Sequence, residues 1–437
     1  MSNIALVWAV MLVCYISLVP YYFISAANTS LPFYYTVKYF PFVLNLSVLT
    51  LLVVKKRLLR NKFLNFNITT CIIWSTIMAG CISAIGAESA SFALGKTVYI
   101  AVTGVVPFYI VISLNSFKQI VKVLMTVSIV SALVCIYGIY SHLTSIDVIF
   151  GNLFEHGQPH SYSFWNAIST IGNPSILGTY LLVCFPITAV TIYLRCKKYL
   201  LSEFIVSIVS ILFLLGIVTT YSRGALISFV AMYLVFALKC QNSRQRFFQV
   251  ISIGISSCII FFVINLYAPN LLELTSSRIQ IKFDGLITTA GTVEYRVETA
   301  QLSYYLWLSN PVNGIGLGHS TEFFNQYFPD VHIPDLNTID NQFLTILVET
   351  GLIGLIAHCF TFVYVTSVMI KQCLINETEQ YGRLLWACIA SLIGLNINML
   401  TWDALNFPTI RILCWMMIGI GLSISCKNGP MATTEED

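Results

Sequence analysis

Runs of apolar residues long enough to cross a lipid bilayer recur from one end of this 437-residue chain to the other. Each helical crossing of a hydrocarbon layer about 30 Å thick takes roughly 20 such residues. Only helices and closed barrels satisfy their own backbone hydrogen bonds in lipid. Hydrophobic residues make up 57% of the chain and charged residues 10%, whereas a soluble surface needs about 25% charged. A sizeable soluble domain is therefore excluded. The expected fold is an all-α polytopic membrane protein, one integral membrane domain over 1–437. Twelve transmembrane helices are predicted, near 4–24, 36–54, 68–86, 97–114, 120–140, 175–194, 203–220, 224–238, 247–267, 343–370, 383–401 and 409–425.

With the N-terminus placed inside, 16 of the 23 lysines and arginines fall on cytoplasmic segments such as 55–62, 195–199 and 239–246. The positive-inside rule then predicts a multi-pass protein with both termini cytoplasmic. The net charge of +4 is dispersed in these short clusters, so it reports topology, and the expected surroundings are membrane lipids with no nucleic acid. The first apolar run lacks a basic n-region and a small-residue cleavage site, which predicts a retained helix. None of the 13 cysteines falls in a predicted outside loop and no C-x-x-C spacing occurs. Neither a disulfide framework nor a cysteine metal site is expected.

Two outside segments are long enough to fold, 141–174 and 268–342. The first ends in Gly172-Asn173-Pro174-Ser175, a helix-start signal. The second, of 75 residues, carries Arg278, Lys282, Glu294, Arg296, Glu298, His319, His332 and Asp340. Within it, Val297, Ala300, Leu302, Tyr304, Leu306 and Leu308 suggest an amphipathic helix stopping at Asn310-Pro311. Such a helix suits a membrane surface. A turn with glycines at 314, 316 and 318 follows, and short helices packed over the bundle are expected here.

Arg223 stands after Tyr221 and Ser222 between two apolar helices, on the side that the positive-inside rule leaves poor in arginine. An arginine there either snorkels to headgroups or holds an anion, since its planar fork forms bidentate bonds to phosphate. Arg278, Lys282 and Arg296 add cations on the same side, either as a basic pocket for a diphosphate or as solvated charge paired with Glu294 and Glu298. Lys38, Lys96 and Arg411 complete that set. Asp340 precedes Asn341 at the start of a long apolar helix. It either caps that helix or accepts a proton from an attacking hydroxyl. Glu349 is an acid within the same helix, functional or a polar anchor. His319 and His332 are bases, ligands or ordinary surface histidines. Nothing in the spacing demands a metal, and none is expected, nor any other cofactor.

Four landmarks occur in one order: GNPSILGTYLLVCFPI at 172–187, YSRGALISF at 221–229, the pattern from Arg296 through Trp307 and Asn310-Pro311 to Gly318, and DNQFLTILVETGLIG at 340–354. Together they resemble the O-antigen polymerase and O-antigen ligase superfamily. The resemblance implies a fold related to membrane glycosyltransferases of the C type, in the bacterial inner membrane. It implies action on undecaprenyl-diphosphate-linked saccharides at the periplasmic face, with a chain-length regulator as a further partner. It also implies diphosphate binding by Arg223 and Arg296, and a catalytic role at the position of Asp340. Ligases usually carry histidine there. The aspartate, of pKa about 3.9 against about 6.5 for imidazole, favours a polymerase. Two alternatives are a ligase, which would transfer polymer to lipid A–core, and a polysaccharide-lipid transporter or flippase. A transporter should place charges near the membrane midplane, whereas these cations gather at one face.

Overall fold

The computed structural model describes residues 2–18, 32–54, 68–114, 116–144, 167, 169–196, 202–238, 292–320, 339–375 and 379–427. Among them there is no strand, and the chain is an all-α polytopic membrane protein. Its helices are α1 (Ser2–Leu18), α2 (Pro32–Val54), α3 (Ile68–Ser83), α4 (Ala90–Ile112), α5 (Phe117–Thr144), α6 (Pro174–Cys196), α7 (Ser202–Thr219) and α8 (Arg223–Leu238). After them come α9 (Thr292–Ser309), α10 (Gln342–Ile375), α11 (Glu379–Asn398) and α12 (Pro408–Lys427). Eleven of the twelve predicted spans fall on these helices, and the remaining one, 247–267, lies outside the described residues. Five helices are long and apolar enough to cross a bilayer, namely α4, α5, α6, α10 and α12, and five shorter apolar helices accompany them.

The centre of the bundle is α6, buried without interruption from Ile176 to Thr191. It packs against α5, α7, α8 and α11. A helix apolar on every face belongs in such a place, and α6 is joined to its neighbours by hydroxyl and amide bonds of the kind that hold membrane helices together. Thr179 donates to Asn398 Oδ1 at 2.8 Å, Ser391 donates to the Val183 carbonyl at 2.7 Å, and Tyr180 shares a 2.8 Å bond with Ser17. The start of α6 follows the sequence signal. Asn173 Oδ1 accepts from the amides of Ser175 and Ile176, and Pro174 sits at the first helical position, where a missing N–H costs nothing.

Two helices depart from the sequence expectation. The fourth span begins at Ala90, capped by Ser89, so most of the predicted outside link 87–96 is helix and Lys96 rides on α4. This helix widens into a π-turn at Ala101–Val105. Pro107 lies just beyond, and its ring and missing N–H oppose the ordinary bond to the carbonyl four residues back. The second departure is in α10, which reads as one apolar run but is broken at Gly351, where φ is 64° and ψ −166°. The glycine turn after α9 fills the break. Ile315 and Gly316 amides donate to the Val348 and Glu349 carbonyls at 3.0 Å each. In return the Leu352 and Ile353 amides donate to the Pro311 and Val312 carbonyls at 3.0 and 3.3 Å. Every backbone group that the break frees at these four positions is thus paired, the condition under which broken helices persist at membrane depth.

A methyl group at Gly351 would lie 2.2 Å from the Val312 carbonyl oxygen, on a backbone conformation that side chains disfavour. Gly351→Ala is expected to destabilise the fold by about 2 to 5 kcal/mol. Gly95→Ala, on α4 with nothing within 4 Å of the added methyl, should be neutral or stabilising by up to about 1 kcal/mol. Thermal unfolding of the purified variants in detergent checks both, and equal melting temperatures would refute the role given to the break.

Candidate active site around the Thr401 turn

The four landmarks converge on the short link between α11 and α12, residues 399–407. Gly178 of the first landmark lies under the second, where an added methyl would stand 2.8 Å from Ala225 Cβ. Gly224, next to Arg223, presses on Thr401 so closely that its own Cβ would meet Thr401 Oγ1 at 2.1 Å. From the third landmark, Arg296 donates from a terminal guanidinium nitrogen to the Thr401 carbonyl at 3.2 Å. From the fourth, the Gln342 amide donates to the Met399 carbonyl at 2.9 Å, and Gln342 Oε1 accepts from the Leu405 amide at 2.6 Å. Arg296 thus bonds to this turn directly, and the residue after Arg223 presses against it. Arg223 is exposed, as the first residue of α8, and Tyr221 before it takes a left-handed conformation with φ 53°.

Arg296 also pairs with Asp340, Nε to Oδ2, at 3.5 Å. The arginine side chain is 46% exposed and the carboxylate 18%, so this cation faces the surroundings while its partner is sheltered. Burial pushes the Asp340 carboxyl above its ordinary range, and the charge and hydrogen bond of Arg296 pull it part of the way back. The helix cap is the next residue. Asn341 Oδ1 accepts from the Phe343 and Leu344 amides at 2.9 and 3.2 Å, which removes the capping alternative for Asp340 and leaves its carboxylate to Arg296.

Behind this pair lies a second polar cluster. Glu349 stands at the α10 break, 4% exposed, and accepts from Ser320 Oγ at 2.6 Å. Asp403 is 2% exposed and bonded to Asn406. Burial, reinforced by the charge of Glu349, pushes its carboxyl up to about 8, and Lys96 partly offsets this. His319 is buried edge-on to Phe92, with ring centroids 5.0 Å apart, so it is no surface histidine. Among the described residues, no group of three His, Cys, Asp or Glu side chains is placed to hold a metal ion.

The helix carrying Arg296 divides its apolar residues between the core and the surroundings. Thr299, Ser303 and Leu306 are buried, with Leu302 packed beside them, whereas Val297, Tyr304 and Leu308 are exposed. Arg278, Lys282 and His332, with most of 141–174, lie outside the described residues. Sequence reasoning passed over Thr401 and Asp403. An aspartate between two membrane helices was the available signal for Asp403, while a main-chain carbonyl at Thr401 leaves no trace in residue type.

Residues 208–359 match the family model described as O-antigen ligase. That stretch contains three of the four landmarks in whole or in large part. No curated protein sequence matches the chain.

The division of labour between Asp340 and Asn341 has a direct check. Asn341→Ala should lower stability by about 1 kcal/mol, the usual loss of a cap. Asp340→Ala, which removes only a part-exposed ion pair, should cost less than about 1 kcal/mol. Paired melting curves in detergent test the assignment, which fails if Asp340→Ala proves the costlier of the two.

Proposed function

Starting from the O-antigen polymerase/ligase superfamily that the match at 208–359 supports, we propose that this protein is a polymerase of lipid-linked repeat units. It moves a growing polysaccharide from undecaprenyl diphosphate onto the terminal sugar of the next lipid-linked unit, at the periplasmic face of the bacterial inner membrane. Glycosyl transfer of the polymerase or ligase type is the activity the family supports. The finer reading rests above all on the Arg296–Asp340 pair at the point where the landmarks meet.

The chemistry follows from that pair. The acceptor hydroxyl oxygen attacks the anomeric carbon of the donor sugar, and the bond from that carbon to the diphosphate oxygen breaks. Negative charge grows on the departing diphosphate, where Arg223 and Arg296 neutralise it. The hydroxyl proton passes to Asp340. Because burial raises the Asp340 carboxyl and Arg296 offsets part of that rise in the resting state, a diphosphate that draws Arg296 away raises the basicity of Asp340 further. Donor binding thereby readies the base. Arg278 and Lys282 extend the diphosphate pocket in this proposal, and the large loop 268–342 positions the two saccharides. Aspartate at 340, where ligases usually have histidine, supports polymerase over ligase.

The test is a gel of surface polysaccharide from the source strain lacking this gene, complemented with wild type, Arg223→Ala, Arg296→Ala or Asp340→Asn. Core bearing a single repeat unit in the deletion strain is the expected result, with each variant failing to restore the ladder by at least about a hundredfold. Bare core with polymer retained on the lipid carrier would assign the ligase reaction instead, and an unchanged ladder would exclude both.

A further inference from the structure

The link between α11 and α12 is held from two sides by residues of the site. Arg296 bonds to the Thr401 carbonyl at 3.2 Å, and through Nε it pairs with Asp340 at 3.5 Å. Gln342 holds the same link at two further points. Its amide donates to the Met399 carbonyl at 2.9 Å, and its side-chain Oε1 accepts from the Leu405 amide at 2.6 Å. This glutamine stands two residues after Asp340 and is 4% exposed. The contacts close a ring that runs from Asp340 along the chain to Gln342, across to the link, from Thr401 to Arg296 and back to Asp340. Each closure is a direct hydrogen bond or ion pair. Apart from the ion pair itself, the ring consists of main chain and the Gln342 side chain.

We propose that Gln342 is a positioning residue for the transfer reaction: by fixing the link against the start of α10, it sets the separation between the Asp340 carboxylate and the Arg296 guanidinium. This rests on the polymerase reading above and adds to it a residue that acts only through the pair. Such a pair is sensitive to small displacements, because a reacting group misplaced by about 1 Å can cost about a hundredfold in rate. Asn341 fixes the start of α10 by capping it, but its cap bonds go to Phe343 and Leu344 within the same helix. The connection from that helix start to the link, and hence to Arg296, is made by Gln342.

Glutamine suits this position in charge and in length. Its side-chain oxygen accepts a hydrogen bond without carrying charge, and the surroundings already hold Asp340, Glu349 and Asp403, the last two enclosed. A further carboxylate there would tend to hold a proton on Asp340. The side chain is also long enough to reach the Leu405 amide, which lies in the short turn Ala404–Asn406. Without that acceptor the amide would be left unpaired in a half-buried place, and the turn would shift to find another partner. A shift of the turn carries the Thr401 carbonyl with it, and Arg296 follows that carbonyl.

The first measurement needs no substrate. The Asp340 carboxyl is titrated in the whole protein in lipid nanodiscs, by infrared difference against Asp340→Asn. Gln342→Met, close in size but lacking the acceptor, should move this titration upward by about half a pH unit or more, because Arg296, which pulls the carboxyl down, is no longer held against it. An unmoved titration in the folded variant overturns the proposal. The second measurement is turnover of the lipid-diphosphate oligosaccharide extracted from the deletion strain, per mole of folded protein. Gln342→Met should lower kcat by about tenfold or more with KM within about threefold. Gln342→Glu accepts from Leu405 in either protonation state, and should keep kcat within about threefold when assayed above the acid limb, which the added charge moves upward. Gln342→Asn is one methylene too short to reach Leu405. It should reproduce the methionine losses, and it replaces that variant if methionine prevents folding. Equal loss of kcat in the glutamate and methionine variants overturns the proposal, as does a lowered melting temperature with titration and kcat unchanged. A wild-type protein inert toward this probe sinks the polymerase reading, while the titration still decides whether Gln342 holds Asp340 against Arg296.

Discussion

The exchange of four backbone hydrogen bonds between the break in α10 and the glycine turn after α9 governs how this end of the molecule is assembled. A helix interrupted inside a membrane protein exposes amides and carbonyls, each costing several kcal/mol if left bare in hydrocarbon. Here Val348 and Glu349 present the carbonyls, Leu352 and Ile353 present the amides, and residues 311–316 answer all four. The partners come from a segment distant in sequence, so closing the break docks the whole of α9. The depth of Arg296 and the placing of Glu349 at the break are both consequences. Three glycines with positive φ, at 314, 316 and 318, allow the turn to enter where any side chain would collide with α10, Ala87 or Lys96.

Around that joint the charges are graded by exposure. Arg223 and half-exposed Arg296 face the surroundings, Asp340 is sheltered behind Arg296, and Glu349 and Asp403 are enclosed. A dianionic ligand approaching from outside thus meets cations first, and the acids stay where a low dielectric keeps at least one of them protonated. The arrangement sets the outward cations apart from the enclosed acids by a single ion pair. That separation suits a reaction in which a leaving group gains negative charge while an attacking hydroxyl loses a proton.

Helices α1, α3 and α5 to α8, and the start of α6 at Asn173-Pro174, were legible because lipid enforces an apolar run and a free helix end requires a cap. Arg223 stood out as a lone charge between apolar helices and Asp340 as an acid at the start of one, whereas Arg296 stood between Glu294 and Glu298 in the large loop. The break at Gly351 was not, since VETGLIGLI is as apolar as an unbroken helix and only its partner loop makes the interruption stable. The early start of α4 escaped because Lys96 interrupts the apolar run and so reads as the end of an outside link, although the helix begins at the Ser89 cap. Burial of His319 depended on a contact with Phe92 more than two hundred residues away in sequence. No local pattern encodes that. The inward face of α9 was not legible for a related reason: the surface that α10 offers accommodates Thr299, Ser303 and Leu306, and Tyr304 and Leu308 of the amphipathic set stay exposed.

The close approach of Gly224 to Thr401, with the Arg296 bond to the Thr401 carbonyl beside it, ties the two arginines to one piece of main chain. Bilayers differ in thickness by a few Å between membranes, and helices respond by tilting or by drawing lipid around them. Such adjustments shift a bundle against its lipid but leave contacts between its own backbones in place. The height of the cationic pair is accordingly referenced to protein and not to the headgroup plane. For the lipid-linked donor proposed above, a change of lipid composition would alter how far the chain must bend to present its diphosphate, while the receiving geometry stayed constant.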